Sequence, residues 1–325
     1  MDGQLVNPPH GDPALYVRLN CRAGVNYLFD CGELHALPNV EILRVRRIFI
    51  SHTHIDHCIG FDHLIRVQLY SPTPLDIYGP PGLIEQFSGR LRGYVWNLTG
   101  DSPYTIQLHE FHADHVESRT LRCQNQFLPG RRTRQKWPGS LTLKEGYSLR
   151  WAPLEHGVPC LAYLLSGVPF HRFNAQKAAQ MGIEPGIWIG RLKELAARGR
   201  LAQRLNVGGH KRSVGEWSTD LLVEEPPPTL GYVTDTLLGD KQRQRLVPFL
   251  KNCQQLWCES TYREADSDKA LANLHATASQ AARLAREAEA KKLCLFHISR
   301  RYQGDTDLHL EEAREIFPAT VLGGA

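Results

Sequence analysis

Long apolar runs, paired cysteines and a strong charge of one sign are all missing from this 325-residue chain. No stretch approaches the roughly 18 apolar residues that a membrane-spanning helix needs, so we expect a soluble protein without membrane segments. The polar start, MDGQLVNPPHGDP, has no apolar signal core. Internal repeats and low-complexity tails are absent too, which leaves a globular protein as the expectation.

The cysteines of the chain form no C-x-x-C pair. Together with the polar start, their scatter predicts reduced thiols in a cytoplasmic protein. The eight residues are Cys21, Cys31, Cys58, Cys123, Cys160, Cys253, Cys258 and Cys294.

The charge balance is modest, since 38 Lys and Arg against 34 Asp and Glu give a formal net charge of +4. This balance excludes a histone-like binder but allows a local basic face. With 42% hydrophobic residues, the chain can bury a sizeable core in one large domain or two ordinary ones.

Short apolar segments of strand length recur along the chain, with helical patterns between the later ones. The strand candidates are 14–19, 26–32, 46–54, 75–82, 147–156, 160–166, 229–235, 254–260 and 292–299. The clearest helical patterns are 277–292 and 307–317. This order predicts a layered α/β architecture. The weakly periodic stretch 166–225 is expected to be an inserted arm.

A motif rich in His and Asp begins at the end of one predicted strand. Residues 49–66 read FISHTHIDHCIGFDHLIR, in which His52, His54, Asp56 and His57 have the spacing H-x-H-x-D-H. Alternate residues of a strand project to the same side, so His52 and His54 share a side, while Asp56 and His57 fall at the turn into a helix. Such a corner lets several side chains converge, and this set could bind two metal ions.

Three further residues stand in the same context, each at the end of an apolar strand. His156 follows LRWAPLE, Asp235 closes GYVTD, and His297 follows KLCLF. Hydrolytic zinc needs about three protein ligands and an open position. The repetition favours one metal centre over three isolated structural residues.

With these motifs the chain resembles the metallo-β-lactamase superfamily and, within it, the ribonuclease Z group of tRNA 3′ processing endonucleases. H-x-H-x-D-H is specific to the superfamily, whereas H-x-x-P-x-x-x-Y and the HISRRY ending point to the ribonuclease Z branch. The matching segments are FDCGE (29–33), SHTHIDH (51–57), HGVPCLAY (156–163), YVTDT (232–236), ESTY (259–262), HATA (275–278) and FHISRRY (296–302).

The resemblance implies a fold and partners. The fold would be a four-layered αββα sandwich, one α/β domain over 1–325 with the arm at 166–225 inserted in it. RNA or a small phosphodiester would be the substrate, no membrane would be involved, and a homodimer is expected because the family is commonly dimeric.

The resemblance also implies two metal ions, Zn²⁺ with Mn²⁺ or Fe²⁺ as alternatives. The ligands of one ion would be His52, His54 and His156. The ligands of the other would be Asp56, His57 and His297. Asp235 would bridge the ions, and Asp30 would support a ligand histidine from behind.

In the implied chemistry, two ions about 3.5 to 4 Å apart activate a bridging hydroxide for attack on a phosphodiester. Asp56 is expected to orient or deprotonate the water, and an acid must protonate the departing 3′ oxygen. The family takes this acid from the histidine of an H-E-A-T element, where this chain has Cys258. A thiol near two zinc ions is expected to ionise or pack instead. Glu259 is kept, and His275 matches the histidine of the family's H-S-T element, so both are candidate catalytic residues.

The residues that would recognise the substrate are compatible with three functions. Arg300, Arg301 and Tyr302 follow the last ligand and are expected to contact substrate phosphate. The family's glycine-rich opening is missing, and its G-L-P-G-L continuation is replaced by CIGFDHLIR. The chain could be a ribonuclease Z-like endoribonuclease acting on tRNA 3′ trailers. It could instead hydrolyse a small phosphodiester or lactone, or bind RNA with a slow metal centre.

Three other polar segments have either a functional or an ordinary structural explanation. GRRTRQKW (130–137) has four cations beside Trp137, which suits either a phosphate-tracking patch or a solvated loop. HEFHADH (109–115) looks like a second metal cluster, but no comparable apolar strand precedes it and its spacing matches no family ligand, so a surface or strand segment is expected. Asp62 and His63 are expected to be bystanders on a helix.

Overall fold

The computed structural model describes residues 1–19 and 24–324 and divides the chain into two compact units. The first, the body, comprises Met1–Ser166 and Thr229–Ala325. The second, the arm, comprises Gly167–Pro228. The predicted insertion at 166–225 overlaps the arm.

Eight strands form the first sheet of the body within the described residues, in the order β1 to β8. β3 to β6 are parallel to one another, and the pairs at both ends of the sheet are antiparallel. The strands are β1 (Asp2–Leu5), β2 (Leu15–Arg18), β3 (Asn26–Phe29), β4 (Val45–Phe49), β5 (Leu75–Gly79), β6 (Thr105–Phe111), β7 (His115–Arg122) and β8 (Pro129–Lys136).

The second sheet has seven strands in the part of the chain that the structure describes. In spatial order they are β19 (Thr320–Leu322), β18 (Leu293–Phe296), β17 (Gln255–Glu259), β16 (Thr229–Val233), β11 (Pro159–Ser166), β10 (Ser148–Glu155) and β9 (Leu141–Thr142). β16 to β19 are parallel, and β9, β10, β11 and β16 pair antiparallel. The carboxyl ends of β10, β16, β17 and β18 therefore lie at one edge.

Helices cover the outer face of each sheet. On the first sheet lie α1 (Asn39–Ile42), α2 (Phe61–Gln68) and α3 (Leu83–Leu91). On the second lie α7 (Asp240–Phe249), α9 (Ala278–Glu287) and α10 (Asp307–Ile316), and α8 (Ser267–Asn273) precedes α9 in the chain. Among residues 1–19 and 24–324, no helix combines the length and apolarity needed to cross a membrane.

An aromatic core fills the space between the two sheets. Phe29 and Phe49 of the first sheet meet Tyr163 and Tyr232 of the second, and all four side chains are fully buried. Two further apolar cores are present, one between the first sheet and its helices and one between the second sheet and its helices. The body is thus a helix–sheet–sheet–helix sandwich, which confirms the predicted αββα fold.

The arm has its own small core, in which Leu192, Leu195, Val214 and Trp217 are buried together. Its helices are α4 (Ala175–Gln180), α5 (Trp188–Ala197) and α6 (Val214–Leu221). Its strands are β12 (Phe170–Phe173), β13 (Arg204–Val207), β14 (His210–Ser213) and β15 (Leu222–Glu225). β12 pairs antiparallel with β15, and β13 pairs antiparallel with β14.

The cysteines in the described residues are unpaired and buried, in line with the predicted reduced thiols. Cys21 lies outside the described residues. The buried thiols are Cys31, Cys58, Cys123, Cys160, Cys253, Cys258 and Cys294.

Candidate metal centre

The H-x-H-x-D-H segment begins directly after β4, as its pattern predicts. The chain leaves the strand at Phe49 and enters a short 3₁₀ turn at Ile55–His57. Backbone hydrogen bonding holds this exit in place, because the Leu161 amide of the second sheet donates to the Ser51 carbonyl at 2.9 Å. His52 and His57 are fully buried, whereas His54 is exposed.

The other three predicted ligands come from the second sheet. His156 follows β10, Asp235 follows β16 and His297 follows β18. Asp235 and His297 have positive φ angles of 40° and 53°, a conformation that residues other than glycine rarely adopt. Such backbone strain persists only where the surroundings enforce it, and it is concentrated at functional sites.

Asp235 lies at the centre of the resulting cluster. Its Oδ2 is 3.6 Å from His52 Nε2, 3.3 Å from His57 Nε2 and 3.5 Å from His156 Nε2. Its Oδ1 is 3.4 Å from His297 Nδ1. One carboxylate therefore faces four imidazoles, the arrangement expected of a bridging ligand.

Asp56 closes the other side of the cluster. Its Oδ2 lies 3.5 Å from His57 Nε2 and 3.4 Å from His297 Nε2. Two of the groups that could hold an ion consist of the predicted ligands, and a third joins Asp235 and His297 to Glu259 and His275. Of the first two, one is His52, His54, His156 and Asp235; the other is Asp56, His57 and His297. These two groups have the same membership as the two ligand sets that the resemblance implies.

The donor set fits divalent transition metals. The Nε2 atoms of His52, His57 and His156 are buried and accept or donate no hydrogen bond among the described residues. A buried polar atom without a partner is costly, and a bound cation would supply the partner. Imidazole and carboxylate together suit Zn²⁺ and its neighbours.

The close packing of imidazoles and carboxylates shifts the pKa values of the cluster. Burial, helped by repulsion from His57, lowers the pKa of His52 to about 2, so that its imidazole stays neutral and able to coordinate. Burial opposes ionisation of Asp235, yet His297 and His57 outweigh it and hold the pKa of this carboxyl well below its usual range. His297 and His57 likewise lower the pKa of Asp56 against its burial.

Asp30, which the resemblance places behind the ligands, lies fully buried after β3. It accepts hydrogen bonds from the Ser51 amide at 2.6 Å, the Ser51 hydroxyl at 2.7 Å and the Tyr232 hydroxyl at 2.8 Å. Its Oδ2 also lies 2.7 Å from His57 Nδ1. Holding Nδ1 in this way turns Nε2 of His57 towards the cluster.

Glu259 and His275 form a pair beside the metal centre. Glu259 ends β17 and is fully buried, and its Oε2 lies 3.0 Å from His275 Nδ1. The ring of His275 is 5.1 Å from that of His156 and 5.5 Å from that of His297. Burial alone would lower the pKa of His275, but the Glu259 carboxylate outweighs it and raises the pKa to about 9. The imidazole is therefore protonated at neutral pH.

Cys258 points away from this site. Successive residues of a strand face opposite sides, and Cys258 lies in the apolar core between the second sheet and its helices. Burial raises the pKa of its thiol well above the ordinary value. Of the two fates expected for this thiol, ionisation or packing, the structure shows packing.

The predicted phosphate contacts lie in a 3₁₀ turn at Arg300–Tyr302, where each already has a protein partner. Arg300 pairs with Asp12 at 3.0 Å, and the Arg301 guanidinium lies 5.1 Å from the centre of the Tyr262 ring. Tyr302 donates its hydroxyl hydrogen to Asp266. Both arginines are exposed, and their contact with substrate phosphate stays a prediction.

The basic segment 130–137 favours the solvated alternative. Most of it is β8, where Arg132 pairs with Glu85 and Glu117. Trp137 packs against Phe111, 5.2 Å between ring centres, in the core between the sheets. Arg132 and Trp137 thus have partners within the protein, while every residue of β8 is exposed.

Of the remaining polar features, Asp62 and His63 lie outside the possible metal sites, whereas HEFHADH contributes to one. His63 contacts the His35 ring at 4.7 Å and Asp62 pairs with Arg90 at 2.9 Å, so neither is among the groups that could hold a metal. The segment HEFHADH does end a strand, β6, as one of its two predicted alternatives requires. The metal cluster that the sequence argument set aside has a basis in the structure, because the turn gathers His112 and His115 with Glu117, which lies outside the segment.

Known proteins support the fold and the family. Ribonuclease Z of Deinococcus radiodurans is 31% identical over 98% of this chain and 96% of its own length. Ribonuclease Z of Methanothermobacter thermautotrophicus is 30% identical over 91% of this chain and 84% of its own. Searched against family models, the chain matches none.

Solved structures share the fold at lower identity. The metallo-β-lactamase fold protein YhfI of Bacillus subtilis has a TM-score of 0.58 and 15% identity, over 98% of this chain and 94% of its own. The short form of human tRNase Z has a TM-score of 0.53 and 18% identity, over 93% and 94% respectively. At these identities the likeness concerns the fold alone.

Proposed function

Because this chain belongs to the ribonuclease Z family of metal-dependent hydrolases with the metallo-β-lactamase fold, we propose that it is a zinc-dependent endoribonuclease removing 3′ trailers from precursor tRNA. The observation that carries the proposal is the convergence of the seven predicted ligands, with His275 beside them and within hydrogen-bond distance of the buried Glu259. A binding protein with an inert centre would have no need for both.

Two Zn²⁺ ions would occupy the cluster, with Asp235 between them. The chemistry supplied by such a pair, when bound, is a water of lowered pKa and neutralisation of charge on a phosphodiester during in-line displacement. One ion would be held by His52, His54 and His156. The other would be held by Asp56, His57 and His297.

The protein's own residues would manage the protons. Asp56, ionised by its histidine neighbours, orients the attacking water and takes its proton. As the bond from water oxygen to phosphorus forms, the bond from phosphorus to the 3′ oxygen breaks. His275 donates its proton to that departing oxygen, and Glu259 keeps the imidazole charged and oriented until then. The products are a 3′ hydroxyl and a 5′ phosphate.

The arm is proposed to hold the RNA. Residues 167–228 contain nine Lys and Arg against six Asp and Glu, so the arm carries three of the four net positive charges of the whole chain. Attraction to phosphates supplies most of the sequence-independent affinity for nucleic acid. The proposal includes a homodimer, as the family resemblance implies.

The test uses protein that has been stripped with a chelator and reloaded with Zn²⁺. It is offered precursor tRNA with a 3′ trailer, and separately bis-p-nitrophenyl phosphate. We expect both to be cleaved, the RNA at a single position, and we expect His52→Ala to lose both activities while His109→Ala, away from the cluster, keeps them.

The two alternatives give different results in the same assay. Cleavage of the small ester without the RNA would replace the proposal with a small-molecule hydrolase. Zinc binding with inertness towards both substrates would replace it with a slow RNA-binding relative.

A further inference from the structure

The turn between β6 and β7 assembles a second cluster of metal-ligating residues. A hydrogen bond from the His112 amide to the His115 carbonyl, 2.9 Å, closes this turn. One nitrogen each of His112 and His115 and one carboxylate oxygen of Glu117 all lie within 4.8 Å of one another. We propose that these three side chains bind a divalent transition metal, separate from the two-ion centre.

The spacing is close to what such a site requires. The rings of His112 and His115 are 4.3 Å apart and nearly parallel, 8° between their planes. With Zn–N bonds of about 2.0 Å, tetrahedral ligand atoms stand about 3.3 Å apart. The ligand atoms, within 4.8 Å of one another, stand somewhat farther apart than that, and one of the two parallel rings must turn before both nitrogens face a single ion.

The orientation of His115 leaves a nitrogen for a metal. This residue is 9% exposed, and Asp114 Oδ1 lies 2.6 Å from its Nδ1. Arg134 also lies on the Nδ1 side, 2.9 Å away. A carboxylate at one ring nitrogen fixes Nε2 as the coordinating atom, the arrangement usual for ligand histidines.

Carboxylates add negative charge beside the two histidines, and Arg132 and Arg134 add positive charge. Glu110 and Glu117 are direct register partners on β6 and β7, and like charges in that position repel. Glu110 is only 5% exposed; its Oε1 accepts from the Ile84 amide at 2.8 Å, and its Oε2 lies 3.3 Å from His112 Nε2. Arg132 pairs with one oxygen of Glu117, which offsets the repulsion only in part.

Two histidines and a carboxylate select the kind of metal. Ca²⁺ and Mg²⁺ prefer all-oxygen sites, whereas imidazole suits Zn²⁺, Ni²⁺ and Cu²⁺. β4, β5 and β6 are parallel, so the turn lies at the same edge of the sheet as His52, with β6 about 10 Å from β4. A metal here would fasten the end of the β6–β7 hairpin beside the proposed active centre.

The experiment compares the zinc content of four full-length proteins after loading with Zn²⁺ and gel filtration. We expect the His112→Ala/His115→Ala double variant to hold one equivalent less per chain than the wild type, by elemental analysis. Hydrolysis of bis-p-nitrophenyl phosphate should be unchanged, since neither residue belongs to the catalytic cluster. The matched control is His109→Ala, on β6 just before the turn, whose Nδ1 bonds Ser118; it should keep the full zinc content.

The fourth protein, Glu117→Gln, keeps the size of the side chain and decides the matter if the double variant does not fold. It should bind the last equivalent at least tenfold more weakly when Co²⁺ absorption is titrated. Equal zinc content in the wild type and a folded double variant would overturn the site. So would Co²⁺ titrations of the wild type and Glu117→Gln that coincide.

Discussion

At the scale of single residues, Asp30 connects the two sheets to the metal centre. It has a positive φ of 55°, and its carboxylate joins Ser51, His57 and Tyr232. The first two belong to the segment after β4, and the third belongs to β16. Asp30 therefore supports both the fold and the orientation of a proposed ligand.

Replacement of Asp30 should consequently affect stability and metal affinity together. Asp30→Ala leaves buried donors without an acceptor, and we expect the free energy of unfolding to fall by about 3–5 kcal/mol. The folded fraction of the Asp30→Ala protein should bind zinc about 10 to 100 times more weakly than the wild type. Chemical denaturation and chelator competition measure the two effects. A stable Asp30→Ala protein with wild-type zinc affinity would refute this role.

The proposed acid can be tested against Cys258, the residue at the position of the family's acid histidine. His275→Ala should lower kcat for RNA cleavage by about 10²- to 10⁴-fold with zinc content unchanged, because proton donation to the leaving oxygen is lost. Cys258→Ala should leave kcat near the wild-type value, since its thiol faces the apolar core. Single-turnover cleavage rates check both. Equal losses in the two variants would mean that His275 is not the acid.

The residues of the cluster were more predictable than the acid. Spacing and position at strand ends brought out all seven candidate ligands, which the structure gathers, although their role as ligands stays a prediction. The place of Cys258 depends on which face of β17 meets the helices. Alternation along the strand carries that signal, because Glu259 and Cys258 cannot both face the site.

At the scale of elements, α10 carries a histidine with no polar contact. His309 is fully buried, and neither ring nitrogen has a hydrogen-bond partner among the described residues. Its ring lies 4.7 Å from that of Tyr302. Burial, with a smaller contribution from Arg263, lowers the pKa of His309 to about 4. The helix thus packs around a neutral imidazole.

This histidine should make stability depend on pH. Its pKa in the unfolded chain is about 6.5, so the unfolded state binds the proton more readily and stability is lost as pH falls from 6.5 to 4. The loss at pH 4 should reach about 3 kcal/mol. His309→Leu should flatten the profile in that window, measured by urea denaturation of chelator-treated protein. Parallel profiles for the variant and the wild type would contradict the assignment.

The sequence predicted the elements unevenly. Each of the nine apolar segments contains a strand, and the two helical patterns became α9 and α10. β8 went unrecognised because every residue of this edge strand is exposed, so it has no hydrophobic alternation to detect. β6 does alternate between buried and half-buried residues, but its polar composition concealed this.

At the scale of the whole molecule, the arm leaves and rejoins the body at neighbouring points. Ser166 and Thr229 are register partners at the adjacent ends of β11 and β16. Within the arm, the Gly167 amide donates to the Pro228 carbonyl at 2.8 Å. A tight turn can therefore replace the segment between them without altering the sheet.

Replacing residues 168–227 by Asn-Gly should separate chemistry from RNA binding. We expect the shortened protein to fold, to keep its zinc and to hydrolyse bis-p-nitrophenyl phosphate at nearly the wild-type rate. Its KM for precursor tRNA should rise about tenfold or more, since the arm's cations no longer neutralise phosphates. Steady-state kinetics on both substrates make the comparison. An unchanged KM for RNA would exclude the arm from binding.

The chemistry of the cut ends tests the central claim most directly. Zinc-loaded protein is incubated with precursor tRNA in oxygen-18 water, and the product termini are analysed by mass spectrometry. Attack by water predicts a 3′ hydroxyl on the tRNA and a 5′ phosphate carrying the heavy oxygen on the trailer. A 2′,3′-cyclic phosphate with a 5′ hydroxyl, or a 5′ phosphate without the label, would contradict it.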